Sequence, residues 1–372
     1  MKTVNGFEII QWFEQFSPKK YAVEGDKIGL QIGSLNKPVK KVMVTLDVLE
    51  NVVDEAMNNQ VDLIIAHHPP IFRALPHITD QTPAGKIVTK CIKHDIAVYV
   101  AHTNLDVAPG GVNDLLADAL GLKETEVLVP TQKEELRKIS VFVPLTHADN
   151  VRDALGNAGA GHIGNYSHCS FNIEGEGRFM PLHGTNPFIG EKGHLEKVRE
   201  VKVETIYPVS MEKKVLSAMM KSHPYEEVAY DIYKLENEGD SLGLGRVGRL
   251  AEPMSLAEFA QHTKKALDVQ NVRVVGDQKA LIKKVAVLGG DGNKYIHSAK
   301  FAGADVYVTG DLYFHTAHDA LAIGLNVIDP GHYAEKIMKK GVSDELQQAA
   351  SENKWELQVL VSESNTDPFT FM

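Results

Sequence analysis

The chain has 372 residues, 43% hydrophobic and 24% charged, which is a globular composition long enough for two or three domains. Its 30 glycines and 16 prolines exclude collagen-like and low-complexity chains, and two cysteines, Cys91 and Cys169, make neither a disulfide framework nor a thiolate metal site. Thirty-nine basic against 49 acidic residues, a net charge of -10, argues against broad nucleic-acid or anionic-membrane binding. No apolar run reaches the ~20 residues of a membrane span, and the first residues lead into no apolar core with a cleavage site. The expectation is a soluble protein of the reducing cytoplasm.

Residues 1–130 read as α/β. Residues 7–16 have helical spacing, with Ile9, Ile10, Phe13 and Phe16 as the apolar set, and 28–33 read as a short strand bounded by glycines. Residues 41–46 form a buried strand, 50–59 a helix and 61–66 a strand followed at once by His67-His68-Pro69-Pro70. A helix over 82–94 and a strand over 96–101 lead into His102-Thr-Asn-Leu-Asp106, and a helix over 112–120 closes the unit. Alternating strands and helices indicate a largely parallel sheet.

Residues 131–240 have a different rhythm: a strand over 138–144, a helix over 149–157, a hairpin from 166–171 and 177–181, a strand over 200–206, a helix over 211–221 and a strand over 228–233. That order, β-α-β-β-α-β, is ferredoxin-like. We read it as an insert whose linkers are the polar stretches at 134–135 and 236–240.

Residues 241–372 repeat the first segment. At an offset of 243, Lys40-Lys-Val-Met-Val aligns with Lys283-Lys-Val-Ala-Val and Asp62 with Asp305, six identities in 29 positions from Lys40 to His68. A strand over 325–329 leads into Pro330-Gly-His332-Tyr-Ala-Glu335. The expected fold is α/β: two similar lobes forming one duplicated domain, interrupted by the α+β insert.

His67, His68, Asp106, His332 and Glu335 all follow apolar strands, where α/β sheets place ligand sites. Imidazole and carboxylate together suit zinc, iron, manganese or cobalt. Three histidines and two carboxylates exceed the three protein ligands of a mononuclear catalytic zinc and suit a two-metal site with a bridging carboxylate and water. His102 is either a ligand or orients Asp106. Asp311 and His315 are candidates for acid–base work or for orienting ligands. Residues 289–292, Gly-Gly-Asp-Gly, are a candidate phosphate cradle. In the insert, His223-Pro-Tyr-Glu-Glu227 either binds a metal or small molecule or fixes a loop. Arg246, Arg249 and Arg273 are the candidates for a local basic patch.

The motifs Gly25-Asp-Lys-Ile-Gly-Leu-Gln-Ile-Gly33, His67-His68-Pro69, His102-Thr-Asn-Leu-Asp106, Thr309-Gly-Asp311 and Gly331-His332-Tyr-Ala-Glu335 resemble those of the Nif-three-like dinuclear metal centre family, the group of GTP cyclohydrolase I type 2 homologues. The middle segment resembles the PII/CutA-like insert of longer members. The resemblance implies metal ligation by His67, His68, Asp106, His332 and Glu335. It also implies two divalent ions per chain, zinc favoured over iron or manganese, and assembly into a toroidal homohexamer with the insert capping the ring. Many members space the last His and Glu by four, whereas His332 and Glu335 are three apart. The expected function is metal-dependent hydrolysis of a nucleotide or related heterocyclic, phosphorylated small molecule through a metal-bridging hydroxide, with Asp311, His102 or His315 moving the proton. The alternative is a non-catalytic metal-binding assembly that senses a small ligand through the insert.

Overall fold

The structure, a computed structural model, describes residues 2–372. It forms two compact units, the chain up to Gln132 together with Leu242–Met372, and Lys133–Ser241.

The first unit carries a five-stranded sheet in the order Gln358–Val361, Lys41–Thr45, Leu63–Ala66, Ala97–Val100, Gly29–Ile32. The first four strands are parallel and Gly29–Ile32 closes the edge antiparallel. Every residue of Leu63–Ala66 and Ala97–Val100 is buried, as a parallel sheet covered on both faces requires. The crossover helices are Glu50–Asn58 and Pro83–Lys93. The latter starts where Pro83 fixes φ and the Thr82 hydroxyl accepts the Gly85 N–H at 3.1 Å.

A second parallel set, Leu281–Asp291, Val306–Gly310 and Asn326–Asp329, is edged antiparallel by Arg273–Val275. Its other neighbour is Tyr230–Ser255, antiparallel to Leu281–Asp291. One apolar core, including Val42, Ile65, Tyr99, Val285, Val306 and Ile328, joins both sheets to helices Gly6–Phe16, Leu256–Ala266 and Ile337–Glu352.

The two parallel sets share their turn chemistry at the offset of 243. Asp62 Oδ2 accepts the N–H groups of Lys40 and Lys41 at 2.7 and 2.9 Å, and Asp305 Oδ2 accepts those of Lys283 and Lys284 at 2.8 Å each. Gln60 and Gly303, at φ 57° and 74°, both end their helices in the left-handed region. Elements with no counterpart in the sequence reading include helices Leu256–Ala266 and Ile337–Glu352, strand Arg273–Val275, and strand Gln358–Val361, which returns beside Lys41–Thr45.

In the second unit the order is β-α-β-β-α-β: the end of Lys123–Pro144, Ala148–Asn157, Phe171–Phe179, Glu196–Pro208, Glu212–Ser222 and the start of Tyr230–Ser255. The strands lie in the order Tyr230–Ser255, Lys123–Pro144, Glu196–Pro208, Phe171–Phe179. The hairpin expected from 166–171 and 177–181 is instead one strand, Phe171–Phe179, paired antiparallel along its length with Glu196–Pro208. Gly175, which falls in the turn of that expected hairpin, sits mid-strand together with Gly177. The expected polar linkers at 134–135 and 236–240 lie inside the long strands Lys123–Pro144 and Tyr230–Ser255. Exposed strands tolerate such charged residues, so polarity there signals solvent rather than a loop.

Candidate metal centre

His67 and His68 follow strand Leu63–Ala66, and their N–H groups still donate to the Thr45 and Leu46 carbonyls of the neighbouring strand at 3.2 and 2.8 Å. His102 caps the short helix Thr103–Val107, so Asp106 lies one turn on, on the same face. His332 and Glu335 lie in a 3-10 turn, His332–Lys336. The tighter turn eclipses side chains three apart and brings both to one side.

Six side chains from these elements converge. Donor atoms of three groups, His67–His68–His102, His68–His332–Glu335 and His67–Asp106–Glu335, lie within 4.8 Å of one another in each group. Glu335 Oε2 stands 3.1 Å from His68 Nε2, 3.2 Å from His332 Nε2 and 3.7 Å from His67 Nε2, and Asp106 Oδ1 is 3.6 Å from His67 Nε2. Ligands about 2.1 Å from a tetrahedral ion are about 3.4 Å apart, so these separations suit donors around metal.

The far nitrogen of every imidazole is tied. Nδ1 of His68 faces Asp47 Oδ1 at 2.7 Å, Nδ1 of His102 faces Asp26 Oδ1 at 2.8 Å, Nδ1 of His332 faces Asp311 Oδ2 at 2.7 Å, and Nδ1 of His67 faces the Ala101 carbonyl at 2.9 Å. Carboxylates and carbonyls only accept, so Nδ1 carries the proton in all four rings and Nε2 is the coordinating atom. Two atoms of the cluster, His67 Nε2 and Asp106 Oδ1, are buried without a hydrogen-bond partner. Polar atoms buried in this state are costly, and a cation coordinated by both would satisfy them. The donor set therefore fits a metal ion.

Protonation in the metal-free chain follows the same logic. Burial opposes charge on His68, but hydrogen bonds to Asp47 and Glu335 outweigh it and raise the pKa to about 10. The Glu335 carboxylate likewise raises His332 to about 9. His67, fully buried, falls to about 3. Burial and then the Glu335 charge push Asp106 well above the carboxylate range, whereas hydrogen bonds from His332 and His68 hold Glu335 well below it against burial. Crowded negative charge and buried imidazole are what a bound cation relieves.

His315 stands elsewhere: it is exposed on helix Phe314–Ala322, and its ring contact is with Phe314 at 5.5 Å. Asp311 orients His332, and it does so from a left-handed backbone, φ 53°, braced by Asn293 Nδ2 donating to its carbonyl at 2.9 Å. The glycines at 289–292 form no phosphate cradle. Gly289 N–H donates to Asn113 Oδ1 and Gly292 N–H to Thr309 Oγ1, each at 3.0 Å. A Cβ at Gly289 would lie 2.6 Å from Glu335 Oε1, and one at Gly290 3.4 Å from His332 Nε2. These glycines make room for the donors. Asp47 and Thr366, whose hydroxyl donates to Asp47 Oδ2, escaped the sequence reading. Asp47 ends a strand just as Asp311 does, and that placement was the available signal.

The cluster opens to a cavity of about 470 Å³, lined by Asp47, His68, Asp311 and His332 and walled by residues 366–369 and Phe371. No helix among the described residues is long and apolar enough to cross a membrane.

A family model, Duf34/NIF3 (NGG1p interacting factor 3), matches residues 4–368. The chain is 66% identical over 371 residues to a Bacillus subtilis (strain 168) protein named GTP cyclohydrolase 1 type 2 homolog, covering 100% of both chains. It is 59% identical over 372 residues, again with 100% coverage of both, to a protein of the same name from Halalkalibacterium halodurans. Among solved structures, a Bacillus cereus protein related to NIF3 is similar with a TM-score of 0.89 at 58% identity, covering 100% of each chain.

Proposed function

The chain belongs to the Duf34/NIF3 family, and on that premise we propose that it is a divalent-metal-dependent hydrolase of a nucleotide or related heterocyclic, phosphorylated small molecule. The observation that carries the reading is the set of four imidazoles locked with Nε2 inward around two partnerless buried atoms. His67, His68, His102, Asp106, His332 and Glu335 would hold two divalent ions, zinc favoured. When bound, such ions supply Lewis acidity and bring the pKa of water towards neutrality.

The chain's own residues do the rest. Asp26, Asp47 and Asp311 fix tautomers and ring orientation. Asp311 also lines the cavity, where it is placed to take a proton from substrate or water. Phe369 and Phe371 offer apolar surface to a planar base. The cyclohydrolase name of the relatives supports a heterocyclic substrate.

The shared hydrogen bonds of Asp62 and Asp305 support two duplicated lobes, and the element order of Lys133–Ser241 supports a ferredoxin-like, PII/CutA-like insert. The family resemblance supports a toroidal homohexamer, which light scattering on purified protein would test.

The functional test is elemental mass spectrometry on protein purified without chelator, beside Asp106→Ala, followed by a nucleotide and phosphoester turnover screen with the recovered metal. Close to two ions per chain, reduced in the variant, with metal-dependent turnover, is the expected result. No metal, and no uptake on reconstitution, would overturn the site; full metal with no turnover across the panel would overturn the hydrolase.

A further inference from the structure

A second cavity, of about 370 Å³, lies wholly within the Lys133–Ser241 unit. One wall is the loop at 223–227, and the reason for its sequence is visible. His223 Nδ1 accepts the Tyr225 N–H at 3.1 Å, so its Nε2–H donates to the Phe142 carbonyl at 3.0 Å. Both ring nitrogens are committed, and His223 is no metal ligand. It fixes the loop so that Tyr225 lines the cavity. Phe179 stands edge-on to Tyr225 with centroids 5.6 Å apart, and Phe188 lies 6.3 Å from Tyr225 on the cavity lining.

The charge around these rings is one-sided. Glu200, Glu226 and Glu227 line the cavity, and Arg178 is its single lining cation among the described residues. The Arg178 Nε donates at 2.7 Å to Glu176, which is outside the lining. Glu200 is held in place: its Oε1 accepts the Tyr225 hydroxyl at 3.1 Å, and its Oε2 fills the space that a Cβ at Gly177 would need. Glycine at 177, unfavourable in mid-strand on propensity alone, leaves that space to the carboxylate. Glu226 Oε1 accepts the Asn186 N–H at 2.9 Å and so ties the facing loop across the cavity.

Aromatic faces attract cations through their quadrupoles, and carboxylates beside them add charge. Anionic ligands are repelled here, and Glu200, Glu226 and Glu227 do not form a group of donors gathered within 4.8 Å of one another, as the metal cluster does. We propose that this cavity binds a small organic ammonium ion between Phe179, Phe188 and Tyr225, with Glu200 as its counter-ion. The site is separate from the metal cluster and independent of the hydrolase reading.

The test uses the full chain and two probes of the same shape, choline and its uncharged isostere 3,3-dimethylbutan-1-ol, titrated by ligand-observed saturation-transfer NMR. Choline is expected to bind saturably and at least about tenfold more tightly than the isostere. Phe188→Leu removes a ring that is 52% exposed, so the fold is retained, and it should weaken choline about fivefold. Glu200→Gln should weaken it about tenfold, with the isostere unaffected. Equal binding of both probes, absence of saturable choline binding, or wild-type affinity in both folded variants would overturn the proposal.

Discussion

Replacing Asp47 by asparagine tests the argument that carboxylates aim the imidazoles. The Asp47 carboxylate has two tasks: Oδ1 accepts Nδ1–H of His68 at 2.7 Å, and Oδ2 accepts the hydroxyl of Thr366. An amide has one accepting oxygen, so the side chain introduced by Asp47→Asn cannot serve both. If the oxygen faces Thr366, the NH2 faces His68 Nδ1, which must then accept, and the proton moves to Nε2, where it blocks coordination. If the oxygen faces His68, the Thr366 hydroxyl loses its partner. Loss of such an orienting group typically lowers metal affinity about 10–100-fold, or about 1.4–2.8 kcal/mol. The assay is zinc titration against a chromophoric chelator, with far-UV dichroism to confirm the fold. Thr366→Val alone should change affinity less than about threefold, because Asp47 still holds His68. Adding it to Asp47→Asn should recover about fivefold, because the competition for the oxygen is gone. Asp47→Asn with wild-type affinity, or a double variant no tighter than the single, would refute the reasoning.

Gly289→Ala should leave the chain folded, at an overpacking cost of about 1–3 kcal/mol, yet displace Glu335, whose Oε1 lies 2.6 Å from the added Cβ; metal content should fall while the thermal transition persists. Glu55 accepts hydrogen bonds from Ser362 Oγ at 2.7 Å and from the N–H groups of Glu363 at 2.7 Å and Ser364 at 3.1 Å. Burial opposes its charge, but these bonds win and hold its pKa below the ordinary 4.5. A carboxylate depressed in the folded state stabilises above its unfolded pKa and loses that contribution as pH falls through the folded value. Hydrogen exchange of residues 362–372 should therefore accelerate beyond its intrinsic rate as pH falls below the ordinary carboxylate value of 4.5, and Glu55→Gln should show the loosened tail already at pH 7. Thr131 Oγ1 donates to the Leu242 carbonyl at 3.3 Å, so the ends left by removing Lys133–Ser241 are adjacent. An Asn-Gly turn joining Gln132 to Leu242 should preserve full metal content, and loss of metal would show that the insert is needed to build the cluster.

Both outer strand sets were legible because buried parallel strands read as unbroken apolar runs, as in Leu63–Ala66 and Ala97–Val100. His67, His68, Asp106, His332 and Glu335 stood out because imidazole and carboxylate are conspicuous after such runs. Asp26 and Asp47 did not, since an Asp in a loop is ordinarily a turn or a cap; only the fold brings Asp26 to His102, 76 residues away. The glycines at 289–292 were misread because glycine marks close approach without naming what approaches, here a carboxylate rather than a phosphate. Strand Gln358–Val361 was missed because it is a short, half-exposed edge strand, and its partner lies over 300 residues upstream.

The arrangement of the centre follows from the sheets. Parallel neighbours lie about 4.8 Å apart, so groups leaving the carboxyl ends of adjacent strands are within hydrogen-bond reach. Lys41–Thr45 delivers Asp47 to His68 at the end of Leu63–Ala66, and Val306–Gly310 delivers Asp311 to His332 beyond Asn326–Asp329. The device is the same on both sides, a carboxylate from one strand end tying the imidazole from the next, but it is shifted by one strand. At the 243 offset the counterpart of His68 is Asp311, and that of Asp47 is Gly290. The shift gives each half a distinct contribution: the first supplies His67, His68, His102 and Asp106, the second His332, Glu335 and the glycine space around them. A donor set divided in this way is complete only when both halves are folded against their common core, so ion binding reports on the whole of the outer unit rather than on either half alone.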